Sequence, residues 1–294
     1  MGKYYYLVSG LPDISLDDGK LAYTVADFHA EIDAMLSGKD RKLINLFFLK
    51  YDNANLLAWL KDPEAKFDPR GRATAEQFEA VCEALKKKKK LPKFEAVPPY
   101  MVAFMQHYLE EQEQQEEQKG EKNPVSLEDQ LSAHYYEVAM RVNNPMVAAW
   151  FELNLNINNV LTAITCRKYG FDKSLYIVGH NEIAEQIRTS NARDFGLTDS
   201  VAYLAELHRI AEEADLYARE KKIDLLKWKW LEEQTFFMTF DIECVFAYLL
   251  QLEMIERWVT LDKARGEQIF RKMVGAMKKG SEHALDEFKR NNMK

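Results

Sequence analysis

The sequence predicts an all-α protein, and three observations carry that prediction. Glycine and proline are scarce, at 12 and 8 of 294 residues, whereas a turn-rich β architecture needs frequent punctuation. Apolar residues recur at three- and four-residue intervals, and no stretch reads as a set of alternating strands. Residues that cap helices, followed three positions later by Asp or Gln, stand ahead of several of these stretches.

Taken in order, Tyr4 to Val8 is a short apolar segment, a strand or a first helical turn, ended by Ser9, Gly10, Leu11 and Pro12. Thr24 and Asp27 form a capping box opening a helix to about Leu36. Lys39 to about Leu60 reads as helix, stopped by Asp62 and Pro63. Residues 63–73 are a loop. Thr74 and Gln77 form a second box, opening a helix with Phe78, Val81, Cys82 and Leu85 on one face. That helix runs into five consecutive lysines, Lys86 to Lys90. Lysines at a helix C-terminus complement its dipole, so a solvated helix end is the first reading. Phosphate, anionic lipid and nucleic acid are the alternatives.

Leu91 to Pro99 is a break. The next helix begins apolar at Met101, Phe104 and Met105, then becomes a Gln/Glu tract that can bury no face, so residues 110–122 read as a mobile, solvated segment. Ser126 and Asp129 open a helix ending near Asn144 and Pro145. Further helical patterns cover 146–168, 181–192 and 198–220, the last capped by Thr198 and Asp199. An apolar stretch spans 223–259. Asp262 to Asn292 reads as an amphipathic tail helix with Ile269, Phe270, Met273 and Met277 on one side.

Composition narrows the function. Hydrophobic residues make up 47% and charged residues 30%, which is globular. A net charge of −7 disfavours general nucleic-acid binding, though not one local basic patch. Cys82, Cys166 and Cys244 are far apart in apolar surroundings, which fits reduced thiols in a cytosolic protein rather than a disulfide framework or zinc site. The opening residues lack the cleavage signature of a secretion signal, and no apolar stretch approaches the length that spans a bilayer. The sequence has no Walker-type phosphate loop, no dinucleotide-binding glycine signature and no zincin helix. His134 and Glu137 have the reverse of the di-metal helix order, and read as a surface pair. The expectation is therefore of no catalytic, cofactor-binding or metal-ligating set. A deep pocket with converging Asp, Glu, His or Arg side chains would revive an enzyme reading.

Three segments align without gaps: Phe47 to Leu60, Phe151 to Ile164 and Phe236 to Leu249. Each opens with Phe and has Asp or Asn five residues later: Asp52, Asn156, Asp241. Asn55 and Asn159 follow three residues on, where the third segment has Cys244. This repeat predicts three similar helical lobes around a central hollow, a funnel within one unit, with approximate bounds 1–98, 124–196 and 197–294. In each copy the apolar face would pack inward while the Asp or Asn makes a cap or inter-helix hydrogen bond.

The repeated pattern resembles that of the C/d-type subunit of V-type ATPases, the socket between stalk and rotor. Leu155 to Gly170, with Asn156, Asn159 and the basic Arg167, matches it best, and the tyrosine-rich Tyr4 to Leu7 resembles that family's opening. Across most of its length the chain is similar to a bacterial family encoded among V-type ATPase genes, which shares runs like Tyr4 to Asp13 and Leu46 to Asn53. The first copy has Trp59 and Leu60 where the C/d-type pattern has its basic residue. The resemblance implies a non-catalytic part that couples the central stalk to the membrane rotor ring, with the stalk and ring subunits as partners. It would sit peripherally at the inner face of the cell membrane, with no span of its own and no cofactor. Lys86, Lys87, Lys88, Trp228 and Trp230 are the candidate interface residues. A helical adaptor for an unrelated partner fits composition and pattern equally well.

Overall fold

The computed structural model describes residues 3–21, 24–117, 125–238, 240–262 and 266. Among these the regular elements are helical, apart from an isolated bridge between Phe94 and Val97. In order they are α1 (Tyr5–Gly10), α2 (Val25–Asp33), α3 (Gly38–Lys61), α4 (Ala75–Lys86), α5 (Pro99–Glu117), α6 (Leu127–Ala139), α7 (Pro145–Tyr169), a 3₁₀ turn (Lys173–Leu175), α8 (Glu182–Thr189), α9 (Leu204–Ala211) and α10 (Leu216–Thr235). A last helix, α11, covers 242–262. None of them is long and apolar enough to cross a membrane.

The chain forms two compact units. One combines Met1–Ala34 with Thr239–Lys294. Within it the backbone N–H of Tyr4 donates to the carbonyl of Phe240 (2.9 Å), and Tyr5 packs edge-on against Phe240 at 4.6 Å. Phe28 of α2 meets Tyr248 of α11 at 5.2 Å, and the Tyr248 hydroxyl donates to the Pro12 carbonyl (3.2 Å). The expected capping box at Thr24 is complete, its side chain accepting from Asp27 N and the Asp27 carboxylate accepting from Thr24 N. The amphipathic tail expected over 262–292 lies outside the described residues, apart from 262 and 266.

The second unit is Met35–Met238. Its centre is built on α3 and α7, whose buried positions run round most of the helix circumference: Leu43, Ile44, Leu46, Phe47, Phe48 and Leu49 on α3, and Val147, Trp150, Phe151, Leu153, Leu155 and Ile157 on α7. Helices apolar on nearly every side belong inside a fold. α6 packs on both, and its Tyr135 donates from the phenol to the Leu46 carbonyl (2.8 Å) and meets Phe151 at 5.6 Å. α7 starts with Asn144 as cap and Pro145 in the first turn, and ends at Gly170 with φ 71°. That is the placement the stereochemistry of each residue favours.

Two expected elements need correction. The helix over 198–220 is broken: Thr198 instead donates to Asp194 (2.5 Å), α9 runs from Leu204 to Ala211, and Asp215 opens α10 by accepting from Tyr217 N and Ala218 N. The stretch 223–259 is likewise split between α10 and α11 by residues 236–241. Apolar periodicity persists across both breaks, so periodicity could not reveal them.

Candidate functional site

The Asp/Asn positions of the first two aligned segments do the same work in space. On α3, Asp52 is fully buried and Asn55 nearly so. One oxygen of Asp52, Oδ1, accepts from the backbone N–H groups of Arg72 (2.5 Å) and Ala73 (2.8 Å). Asn55 pairs with the backbone of Asp68 in both directions: Asp68 N donates to Oδ1 (2.8 Å), and Nδ2 donates to Asp68 O (3.1 Å). Together they fix the loop that leads into α4, whose cap is the next residue, Thr74. Gly71 lies flat on this clamp. A β-carbon there would land inside contact distance of the Asn55 amide nitrogen and 3.0 Å from Asp52 Oδ1.

On α7, Asn159 repeats the two-way pairing with Val178: Val178 N donates to Oδ1 (2.9 Å), and Nδ2 donates to Val178 O (2.8 Å). Asn156 Oδ1 accepts from Asn181 Nδ2 (2.9 Å). Asn181 in turn caps α8 by accepting from Ala184 N (3.0 Å). Arg188 of α8 reaches back to the carbonyls of Ile177 (2.8 Å) and Gly179 (2.5 Å). Each unit of the motif is thus a buried helix, a loop held by two side chains of that helix, and a capped helix after the loop. Phe47 and Phe151, which open the two segments, are buried beside it.

The third segment is placed differently. Phe236 is 77% exposed and lies in a turn, while Asp241 stands just ahead of α11 rather than inside a helix.

The electrostatics of the clamps differ. Burial pushes the Asp52 carboxyl up, against the opposing pull of its two backbone donors and the Arg72 charge. Its second oxygen, Oδ2, has no hydrogen-bond partner among the described residues. Asp68, at the loop's turn, is held low by its Arg70 partner, whose guanidinium lies 4.2 Å over the Tyr51 ring. In the second unit, burial pushes the Tyr203 phenol up to about 12 although it is hydrogen-bonded to Asn156.

The second clamped loop forms one wall of a cleft of about 600 Å³. His107 of α5, Asp129, His134 and Glu137 of α6, and Gly179 and His180 of the loop all line it. His134 and Glu137, read from sequence as a surface pair, therefore face a shared hollow with His180. Glu137 is paired with Arg141 (2.8 Å) and His107 with Glu111 (3.2 Å). His180 and Arg188 both contact the Glu185 carboxylate, at 3.0 and 2.6 Å. Among the described residues no group of three His, Cys, Asp or Glu side chains is arranged to hold a metal ion. The arrangement offers polar recognition by His107, Glu137, His180 and Arg188, each of which already has a charged partner.

The remaining candidate residues are scattered. Trp228 is buried with its indole N–H on Glu232 (2.8 Å), so it is a core residue rather than an exposed anchor. Trp230 is half-buried against Trp150 at 5.9 Å. Lys86, Lys87 and Lys88 are exposed at the end of α4. The three cysteines are thiols rather than disulfides, and burial pushes each of them up. The loop halves of the clamps, Asp68, Gly71, Val178 and Asn181, were not expected from sequence. A turn signature at Asp68 to Gly71 and a cap residue at Asn181 were the available signals.

Neither the curated proteins nor the solved structures contain a match to this chain. A protein-family model described as "Protein of unknown function (DUF2764)" matches residues 1–281. That span takes in both clamps, the cleft and the lysine run, and the chain belongs to the DUF2764 family.

Proposed function

We propose that this chain is a non-catalytic coupling subunit of a V-type ATPase, joining the central stalk to the membrane rotor ring. The observation that carries the reading is the duplicated clamp. A part that transmits torque needs stiff loops at fixed places on a packed core, and buried side chains tying a loop's backbone at two points supply stiffness. Loop freedom lost on folding is then not lost again on binding a partner. The resemblance of Leu155 to Gly170 to the repeated helix of the C/d-type family supports the same reading, and the clamp residues Asn156 and Asn159 are the ones that carry it. Three lobes around a hollow remain part of this proposal.

The test is deletion of the gene in a cell that depends on such an ATPase. Ion pumping should fall while ATP hydrolysis by the detached head persists, and tagged chain should capture central-stalk or ring subunits. Normal pumping after deletion would refute the reading.

A second reading, a helical adaptor for an unrelated partner, is favoured by an exposed aromatic cluster on the second clamped loop. Phe171 and Tyr176 lie there with Tyr169 at the end of α7, each ring 6.2 Å from the next. Aromatic side chains on a rigid loop are characteristic interface anchors. Capture of one defined partner with no rotary-ATPase subunit would favour it.

A further inference from the structure

The end of α4 places a lysine where the backbone favours glycine. Lys89 N donates to Ala84 O (2.9 Å) and Lys88 N to Leu85 O (3.1 Å). These are the two bonds of a Schellman motif, and they put Lys88 in the left-handed region, φ 48°. Gly is the usual occupant because a β-carbon is strained there. The same chain follows that rule at α7, where Gly170 (φ 71°) occupies the matching turn and Phe171 N closes on Cys166 O (2.9 Å). At α4 a lysine holds that strained position instead.

The helix dipole does not account for that charge. Its influence falls off beyond the last turn, so it favours Lys86 and Lys87 but not Lys88, Lys89 and Lys90. Local pairing does not account for it either. Lys87 is bound to Glu83 (2.6 Å), and that one carboxylate also feels the charges of Lys86 and Lys89, so a single acidic group faces a run of six exposed lysines, Lys86 to Lys90 and Lys93. No Asp or Glu occurs between Glu83 and Glu95, in a chain whose net charge is −7.

The choice of residue narrows the partner. Protein interface cores are depleted in lysine. Discrete phosphates and nucleic acids favour arginine forks and stacked aromatics, and the run from Lys86 to Lys93 holds neither. Independent, hydrated ammonium groups on flexible stems suit a diffuse negative surface that can rearrange beneath them. Leu91, 39% exposed, adds an apolar side chain within the run. We propose that Lys86 to Lys90, with Lys93, form an electrostatic footprint for the surface of an anionic lipid bilayer. The proposal goes beyond the coupling reading and does not rest on it.

Sedimentation of the full chain with vesicles tests it. Binding is expected to phosphatidylcholine vesicles carrying phosphatidylserine, not to phosphatidylcholine alone, and to weaken as salt rises. Each Lys→Gln change should weaken binding about fivefold, and Gln at 86, 88, 89 and 90 together by about six hundredfold. Lys88→Gly should weaken binding about fivefold while raising Tm, because the strained turn gains its preferred residue. This second variant separates lost charge from lost fold. Absence of binding to anionic vesicles at low salt, or undiminished binding by a folded quadruple variant, would overturn the proposal. So would displacement from vesicles by polyglutamate or duplex DNA at a lower charge concentration than anionic vesicles themselves require.

Discussion

Asp52 separates two contributions to the clamp, hydrogen bonding and charge, and two substitutions read them independently. Asp52→Ala removes the acceptor of Arg72 N and Ala73 N. Ala73 is buried, so its N–H would lose a partner without gaining water, while Arg72 is only half-buried and its N–H can be rehydrated. An unsatisfied buried N–H costs about 1–3 kcal/mol, and a solvated one much less, giving a loss of about 3 kcal/mol. For a unit of this size that lowers Tm by about 6–12 °C. Asp52→Asn keeps the Oδ1 acceptor and removes the buried charge.

The charge has a definite sign with pH. Because burial raises the folded pKa above the unfolded one, this residue's contribution to stability is fully present below the unfolded value of 3.8. It is lost as pH rises through the folded value and stays lost above it. Asp52→Asn should therefore match or exceed wild type near neutrality and flatten the pH dependence on the acid side. Thermal and urea unfolding followed by circular dichroism across that range would measure both. An Asp52→Ala variant within about 1 kcal/mol of wild type would refute the hydrogen-bond account. An Asp52→Asn variant that keeps the wild-type pH profile would refute the charge account.

Three further substitutions probe the same scaffold. Gly71→Ala forces a methyl group against the Asn55 amide and should cost about 2–3 kcal/mol by urea unfolding, whereas Gly10→Ala, with nothing within 4 Å of its β-carbon, should change stability by about 0.5 kcal/mol or less. Tyr135→Phe leaves the Leu46 carbonyl with its helical partner but without the phenol, a loss of about 1 kcal/mol on the same assay. Thr24→Ala removes one half of a complete capping box in the smaller unit and should cost about 1 kcal/mol, read from faster amide exchange in the first turn of α2.

The elements that were legible in the sequence are those with local chemistry at their ends. Thr24 with Asp27 and Thr74 with Gln77 form reciprocal boxes, and Asp62 ahead of Pro63 ends α3. The breaks at 212–215 and 236–241 were not legible, because Leu204, Leu207, Ile210, Ile223 and Leu226 keep a helical rhythm through the first of them. Rhythm reports which face is buried and not whether the backbone is continuous. The clamp was half legible. Its helix side stands out as Asp or Asn within apolar runs, whereas the loop side engages mostly through backbone groups, which every residue carries.

The two positions of the clamp differ in what they ask of a side chain, and that difference explains the pattern of the repeat. At the first position the bond that holds the loop is an accepted one: Asp52 accepts from two backbone N–H groups and Asn156 from the Asn181 amide, while Asn156 also hydrogen-bonds Tyr203. A carboxylate and a carboxamide serve equally, and the sequence uses one of each. The second position accepts from an N–H and donates to a C=O of the same residue, Asp68 or Val178. A carboxylate cannot donate and a thiol is weak at both tasks, so a carboxamide of asparagine length is required. Cys244 holds that position in the third segment, and its thiol is not a group that can form such a two-way pair. The structure agrees from an independent direction, since Asp241 precedes α11 instead of sitting in mid-helix. The substitution Cys244→Asn would therefore restore the letters of the motif without restoring its geometry, and the clamp is a property of α3 and α7 with the loops they hold.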